Sequence, residues 1–399
     1  MSLSAESPDR PASIGERDRL GERCVAVVFG TRPEIVKLAG VIGDLGRHAR
    51  TIYSGQHFDE RLSSLFFEDL GLPAADVVLG IGGQSRAGQI GELILRLEET
   101  FVARRPDVVV VQGDTNTAAG GALAANALGI PLVHVEAGLR SFDRGMPEEH
   151  NRVLADHLAD LCLAPTEQAR LHLLREGIPE ARIVVTGNTV VDAALRLLPG
   201  PAERAAILRR FQLEASRFVL ATFHRPENVD DTGRLVLLLD ALGQLGLPVF
   251  FPVHPRTRGQ IERHALEPHT SRMHLHPPVG YRTFLALAAE CAFLVSDSGG
   301  VQEEASVVKR PAIVVRRSTE RPEVLGTFAT LTPSADGLLH AAAGLLASLD
   351  ETHRRLADVP SPYGDGQASV RCARLIVAAL QEWKARGPAG VDRVQAAGG

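Results

Sequence analysis

The chain has 399 residues, 45% of them hydrophobic and 23% charged, enough to build two soluble cores. Its formal net charge of -5 argues against a nucleic-acid partner, so an anionic ligand must be held by a local cluster of positive groups. The four cysteines stand far apart with no C-x-x-C pair. That spacing excludes a disulfide framework and a cysteine zinc site, and predicts reduced thiols with Cys24 and Cys291 in the core.

Residues 1–22 are polar and charged, lack the apolar segment of a signal peptide, and are expected to form a flexible tail. Short β-branched runs then alternate with helical stretches. Cys24–Gly30 reads as a buried parallel strand, Pro33–Arg47 as a helix, Asp107–Gln112 as a strand and Thr115–Leu128 as a helix. Pro131–Glu136 and Arg182–Gly187 read as further strands, after which Leu198-Pro-Gly-Pro-Ala202 stops the helix and marks a linker. The pattern restarts with strands at Phe218–His224, Pro248–His254, Ala292–Asp297 and Ala312–Val315. The most apolar stretch, Leu235 to Val253, is interrupted by Asp240, Gln244 and Pro248 and cannot span a bilayer, which predicts a cytoplasmic protein. Ala368–Arg386 reads as a helix that packs back on the first domain, and the Gly/Ala-rich residues 387–399 as a frayed tail. The β-α-β-α grammar thus predicts an α/β protein with two doubly wound Rossmann-type domains, residues 23–197 and 198–367. Its ligand belongs in the cleft between them, at the carboxyl ends of both sheets.

The candidate site residues fall at those strand ends. Between Val111 and Arg152 lie five acids, Asp114, Glu136, Asp143, Glu148 and Glu149, beside His134, Arg140 and Arg152. Carboxylates interleaved with cations near buried strand ends point to proton transfer. Asp114 has an alternative reading as a helix cap, and Glu149 as a surface residue. The strand ending at Asp297 runs into Ser298-Gly299-Gly300 and a helix, a turn whose free N–H groups suit a phosphate, with Glu303 and Glu304 placed for ribose hydroxyls. On the opposite wall, Pro33 fits a first helical position, so Arg32 can reach a pyrophosphate and Lys37 lies one turn inside. His224 and His254 end adjacent strands, and no third ligand follows at metal-binding spacing. Neither G-x-x-x-x-G-K-[ST] nor G-x-G-x-x-G follows the first strand, which disfavours an ATPase or a dinucleotide oxidoreductase.

Eleven segments occur together in one order: G-T-R-P-E-I-V-K, G-Q-H at Gly55–His57, V-Q-G-D-T, H-V-E-A-G-L-R, P-E-E-H-N-R, G-N-T-V-V-D-A, H-R-P-E-N, P-V-H-P, D-S-G-G-V-Q-E-E-A, T-E-R-P-E and P-Y-G-D-G. In these the chain resembles the non-hydrolysing UDP-N-acetylglucosamine 2-epimerase family over nearly its whole length. The resemblance implies a GT-B-like pair of domains and inversion at C2 of the sugar, giving UDP-N-acetylmannosamine. It also implies no metal or nicotinamide cofactor, and a homodimer. By motif position, Asp114, Glu136, Glu148 and His224 match the family's catalytic residues. Arg32, Lys37, Arg152, Ser298, Gly299, Glu304 and Arg321 match its nucleotide-sugar contacts, and Gly300 and His254 join them from the strand-end reading. Within this scheme Glu136 and Glu148 move the proton, Asp114 orients them, His224 meets the diphosphate, and Asp143 and Glu149 are bystanders. A GT-B glycosyltransferase, a hydrolysing epimerase and a non-catalytic nucleotide-sugar binder are the competing readings; the last should have lost some of the matched acids.

The chain departs from the family's usual pattern at several places. Gln56 and His57 are followed by Asp59 where many members carry a second glutamine of an activator site, Pro226 replaces an arginine linked to it, and the loop from Glu136 to Glu148 is two residues shorter. These changes predict weak or absent activation by a second substrate molecule; sigmoidal kinetics abolished by changing Asp59 would be the contrary result. Arg317 stands where an aspartate is usual and is expected to add a cation near the nucleotide.

Overall fold

A computed structural model describes residues 22, 24–56, 67 and 70–386. The described strands form two all-parallel sheets. The first contains β1 (Val25–Phe29), β2 (Ala49–Tyr53), β3 (Val77–Val78), β4 (Val108–Gln112), β5 (Leu132–Val135), β6 (Leu161–Ala164) and β7 (Ile183–Val185), in the order β3-β2-β1-β4-β5-β6-β7. The second contains β8 (Val219–Thr222), β9 (Val249–Pro252), β10 (Met273–His276), β11 (Phe293–Ser296), β12 (Ala312–Val315) and β13 (Ala329–Thr332), in the order β10-β9-β8-β11-β12-β13. Strand order reverses beside β1 and β4 in one sheet and beside β8 and β11 in the other. Chains leaving neighbouring strands there turn to opposite faces, so a crevice opens at the carboxyl ends of both pairs. The central strands β1 and β4 are buried along their whole length, which is why they are written almost wholly in valine.

Most strands found in the sequence end a residue or two sooner in the structure. Gly30, Glu136, His224, His254 and Asp297 all lie just beyond the last ladder residue. Each is thereby released from strand geometry; Glu136 adopts φ 67, a left-handed conformation that a glutamate takes only under constraint. Five strands escaped the sequence reading: β2, β3, β6, β10 and β13. β3 has two residues, β10 reads M-H-L-H at a half-buried edge, and β6 lacks β-branched residues. None carries the dense valine signal of a central strand.

Helices cover the faces. Arg32–Leu45 follows β1 with Pro33 in its first turn, and Asn116–Ala127 is capped by Thr115, whose hydroxyl accepts the Ala118 N–H at 3.1 Å. The helix Thr189–Leu197 closes the first sheet, and after three intervening residues Pro201–Phe211 starts from Gly200. The last helix, Ala368–Arg386, returns to the first domain. The Asp192 carboxylate accepts the Ala368 and Ser369 N–H groups at 3.2 and 2.7 Å, and Lys384 pairs with Asp107 at 2.6 Å. It crosses Arg32–Leu45 at Gly40, where a Cβ would stand 2.3 Å from Ser369 Oγ. One apolar cluster runs from Val27 and Leu38 through Val190 and Ile376 to Leu285 and Leu294, so the two sheets share a core below the cleft. No helix among the described residues is long and apolar enough to cross a membrane.

Candidate active site

A cavity of about 280 Å³ opens between the carboxyl ends of the two sheets. The first domain contributes Arg32 and Lys37 to its wall, and the second contributes His224, His254, Ser298, Gly300 and Glu304. Arg32 already spans the gap, donating to the Val279 carbonyl oxygen at 3.3 and 3.4 Å. Ser298 caps the helix Gly299–Val308 by backbone position only, its side chain making no capping bond, so the first-turn N–H groups stay available to an anion. Gly299 is required by packing: a Cβ there would lie 2.6 Å from Glu320 Oε1.

His224 is oriented from behind. Its Nδ1 lies 3.1 Å from Oδ1 of the fully buried Asp297, whose carboxylate also accepts the His224 and Arg225 N–H groups and the Asn228 side-chain amide at 3.0–3.1 Å. Burial opposes the charge on Asp297, yet these donors hold its carboxyl below the ordinary range. An ionised Asp297 assigns the Nδ1 proton of His224 and leaves Nε2 for the ligand. The His254 ring lies tilted by 42° against that of His224, 5.5 Å between centroids, while its own Nδ1 accepts the Arg256 N–H at 3.2 Å and so caps the next helix. Glu304 is buried at the cavity wall beside Tyr281; desolvation pushes its carboxyl up to about 7.

Behind this wall lies a layer of paired charges. Glu136 is 7% exposed and accepts from Lys37 Nζ at 2.5 Å, Gln112 Nε2 at 2.9 Å and Arg321 at 2.8 Å. Asp114 pairs with Arg152 at 2.5 Å, and Arg152 in turn meets Glu149 at 2.6 Å. Burial disfavours the Asp114 carboxylate, but the Arg152 guanidinium holds it below its usual range. Glu148 is half-buried in the first turn of the helix Pro147–Leu158, four residues before Arg152 and so on the same face. His134 is fully buried between Asp156 and the Gly113 carbonyl, which lock the β4 and β5 ends together.

Several sequence-based assignments change. Glu149 is no bystander at the surface: it is buried, accepts the Ser141 and Phe142 N–H groups at 3.0 and 2.9 Å, and holds Arg152. Asp114 does not cap its helix, because Thr115 does. Glu303, read together with Glu304 as a ribose contact, is instead fully buried among Arg321, Lys37 and Asn188 and does not line the cavity, which its neighbour Glu304 does. Arg152 and Arg321 sit among carboxylates in the layer behind the cavity wall, with Glu136 and Asp114. Arg317 is exposed and off the cavity wall, while its neighbour Arg316 is fully buried against Glu320 at 2.7 Å. Asp143 is exposed and only closes a turn through the Gly145 N–H. Gln56 accepts from the Thr117 N–H and hydroxyl at 3.0 and 2.9 Å; His57 and Asp59 lie outside the described residues.

A sequence model described as UDP-N-acetylglucosamine 2-epimerase matches residues 45–377 of this chain. The chain belongs to that family. It is 38% identical to a UDP-N-acetylglucosamine 2-epimerase of Methanocaldococcus jannaschii over 88% of this chain and 98% of the relative. It is 36% identical to a UDP-2,3-diacetamido-2,3-dideoxy-D-glucuronate 2-epimerase of Pseudomonas aeruginosa over 88% of this chain and 99% of the relative. Its fold is similar to the crystal structure of the M. jannaschii enzyme in complex with UDP-GlcNAc and UDP, with TM-score 0.80 and 37% identity over 89% and 99% of the two chains. It is equally similar to a Neisseria meningitidis UDP-GlcNAc 2-epimerase bound to UDP-GlcNAc, with TM-score 0.80 and 32% identity over 90% and 100%. Family membership makes this protein an isomerase with the GT-B-like architecture.

Residues that sequence reasoning passed over are the supports: Gln112 on Glu136, Asp297 on His224, Asn188 on Glu303, and Glu320 among arginines. All four stood inside quoted motifs, so their presence was visible but their partners were not. Glu34 is the clearest omission. It is buried, and its carboxylate accepts the Gly30 and Thr31 N–H groups and the Thr115 hydroxyl at 3.0, 2.8 and 2.8 Å, tying the ends of β1 and β4 together.

Proposed function

We propose that this protein interconverts UDP-N-acetylglucosamine and UDP-N-acetylmannosamine by eliminating UDP and adding it back. One observation carries the reading. Glu136 is a strained strand-end carboxylate one ion pair from the cavity wall, opposite a helix N-terminus and an oriented histidine suited to a diphosphate. The C2 hydrogen is not acidic until the C1–O bond weakens. That bond breaks with its electron pair going to the β-phosphate oxygen of UDP, and a carboxylate takes the C2 proton as C1=C2 forms. The products held in the site are 2-acetamidoglucal and UDP. A proton delivered to the opposite face of C2 and attack of the UDP oxygen at C1 then give the epimer. Glu136 and Glu148 are the proton carriers, with Asp114 and Arg152 as their support. Arg32, His224 and the first turn of Gly299–Val308 meet the charge that grows on the diphosphate, where fixed dipoles and cations act most strongly. Glu304 accepts the ribose hydroxyls. The working form in this reading is a cytoplasmic homodimer.

A glycosyltransferase would use the same diphosphate site with no proton carrier at C2. Incubation with UDP-N-acetylglucosamine in deuterium oxide, followed by NMR, separates the readings. The epimerase puts deuterium at C2 of both epimers, and Glu136→Gln lowers that exchange by about a hundredfold or more while UDP still binds. Release of free N-acetylmannosamine would instead indicate hydrolysis, and absence of exchange would sink the proposal.

A further inference from the structure

Lys37, Glu136, Arg321 and Glu303 close a ring of alternating charge across the cleft. Lys37 Nζ lies 2.5 Å from Glu136 and 3.3 Å from Glu303, and Arg321 lies 2.8 Å from each of the same two carboxylates. The first domain supplies one cation and one carboxylate, and the second supplies the other two. All four side chains are buried, Glu303 completely. The two carboxylates share both cations, but only Glu136 stands at a strained strand end by the reaction site. Glu303 has no such place: its Oε1 accepts from Arg321 Nε and from Asn188 Nδ2 at 2.7 Å, and its Oε2 meets Lys37 as an ion pair without hydrogen-bond geometry.

We propose that Glu303 is a positioning residue for proton transfer, competing with Glu136 for Lys37 and Arg321 so that the ring, complete only when the two domains meet, keeps Glu136 basic enough to accept the C2 proton. The inference rests on the reading of Glu136 as a proton carrier. A carboxylate that owned both cations outright would be a weak base. Sharing them with a second carboxylate, as near to Arg321 as Glu136 is and 3.3 Å from Lys37, divides their pull, and in a dry layer each such contact counts for more than at the surface. The groups facing Glu303 are Lys37 from Arg32–Leu45, Arg321 from the segment after β12, Glu136 from the end of β5, Glu304 and Tyr281 at the cavity wall, and Tyr363 before the last helix. Burial is the largest influence on Glu303 and favours its neutral form, with Glu136 adding to that direction and both cations opposing it.

Glu303→Gln keeps size and the Arg321 and Asn188 contacts' geometry but removes the competing charge. Expected is a fall in kcat of about tenfold or more, a KM for the UDP-sugar within about threefold of wild type, and an acid limb of kcat displaced to lower pH by about half a unit or more. Glu303→Asp keeps the charge and should leave that limb at its wild-type pH, with an intermediate kcat. An unchanged kcat and limb in Glu303→Gln would overturn the proposal. So would a fall in kcat with no displacement of the limb, which is the mark of a purely structural role. If Glu303→Gln does not fold, Glu303→Met, which removes the charge at nearly the same size, takes its place: an acid limb displaced to lower pH by about half a unit or more supports the proposal, and an unmoved limb overturns it. Deuterium exchange in Glu136→Gln keeps the two claims apart. Loss of exchange there with normal Glu303→Gln kinetics refutes only the role of Glu303, whereas retained exchange refutes the reading of Glu136 itself.

Discussion

Glu136 shows how a single residue is held in a conformation it would not choose. Its φ of 67 costs on the order of 1–2 kcal/mol for a non-glycine residue, and three donors on its carboxylate hold it there. Glu304 is placed by burial in a different sense. Its carboxyl is raised to about 7, so around neutral pH it is divided between charged and neutral forms. Ribose hydroxyls donate best to the carboxylate. KM for the UDP-sugar should therefore rise as pH falls from about 8 to about 6, and Glu304→Gln should raise KM and flatten that dependence. Initial rates across this range check it; a flat wild-type profile would refute it. The sign for stability runs the other way. A carboxyl raised in the folded state contributes stability that is complete below its unfolded value and lost as pH rises through about 7.

At the scale of elements, the site is made where strands stop and helices start. β1, β4, β5, β8 and β11 each deliver a polar residue one or two positions past the ladder, and the following helix fixes its direction. The start of Gly299–Val308 is the most exacting of these junctions. Glu320 beneath it is tied to Arg316 at 2.7 Å and to Arg321 at 3.1 Å and cannot retreat cheaply. Gly299→Ala should push the helix start away from the diphosphate, raising KM by about tenfold with a smaller effect on the melting temperature. Titration with UDP alone, followed by calorimetry, checks the prediction, and wild-type affinity would refute it.

For the whole molecule, the cleft is held by a core that both sheets share and by a last helix that returns to the first domain. Ile376 and Leu380 are buried in that shared core, and the helix is also anchored by Asp192. Ile376→Ala should cost about 2–5 kcal/mol, the range for deleting a buried branched side chain. Urea unfolding should show a lower midpoint, and a loss below about 1 kcal/mol would mean that the helix is only loosely docked. The ionic ring above this core is a different kind of contact. It stabilises little on balance, because burying charges costs nearly what pairing returns.

The sequence alone determined the α/β class, the central valine strands, the strand-end position of Asp114, Glu136, His224 and Ser298, and the family resemblance that the comparisons established. These were legible because they depend on local pattern: β-branched runs for buried parallel strands, Pro33 and the Gly299–Gly300 pair for helix starts, and polar residues at fixed places after each strand. Only the tertiary structure decided who partners whom. Glu149 looked like a spare neighbour of a working acid, Glu303 looked like a ribose contact beside Glu304, and Glu34 drew no reading, because a carboxylate's neighbours in sequence say nothing about the charges that fold against it. Lys37 and Glu136 are 99 residues apart, and Arg321 and Glu136 are 185 apart. Burial makes those distant pairings obligatory, since a charge taken from water must find its counter-charge wherever the fold has brought one.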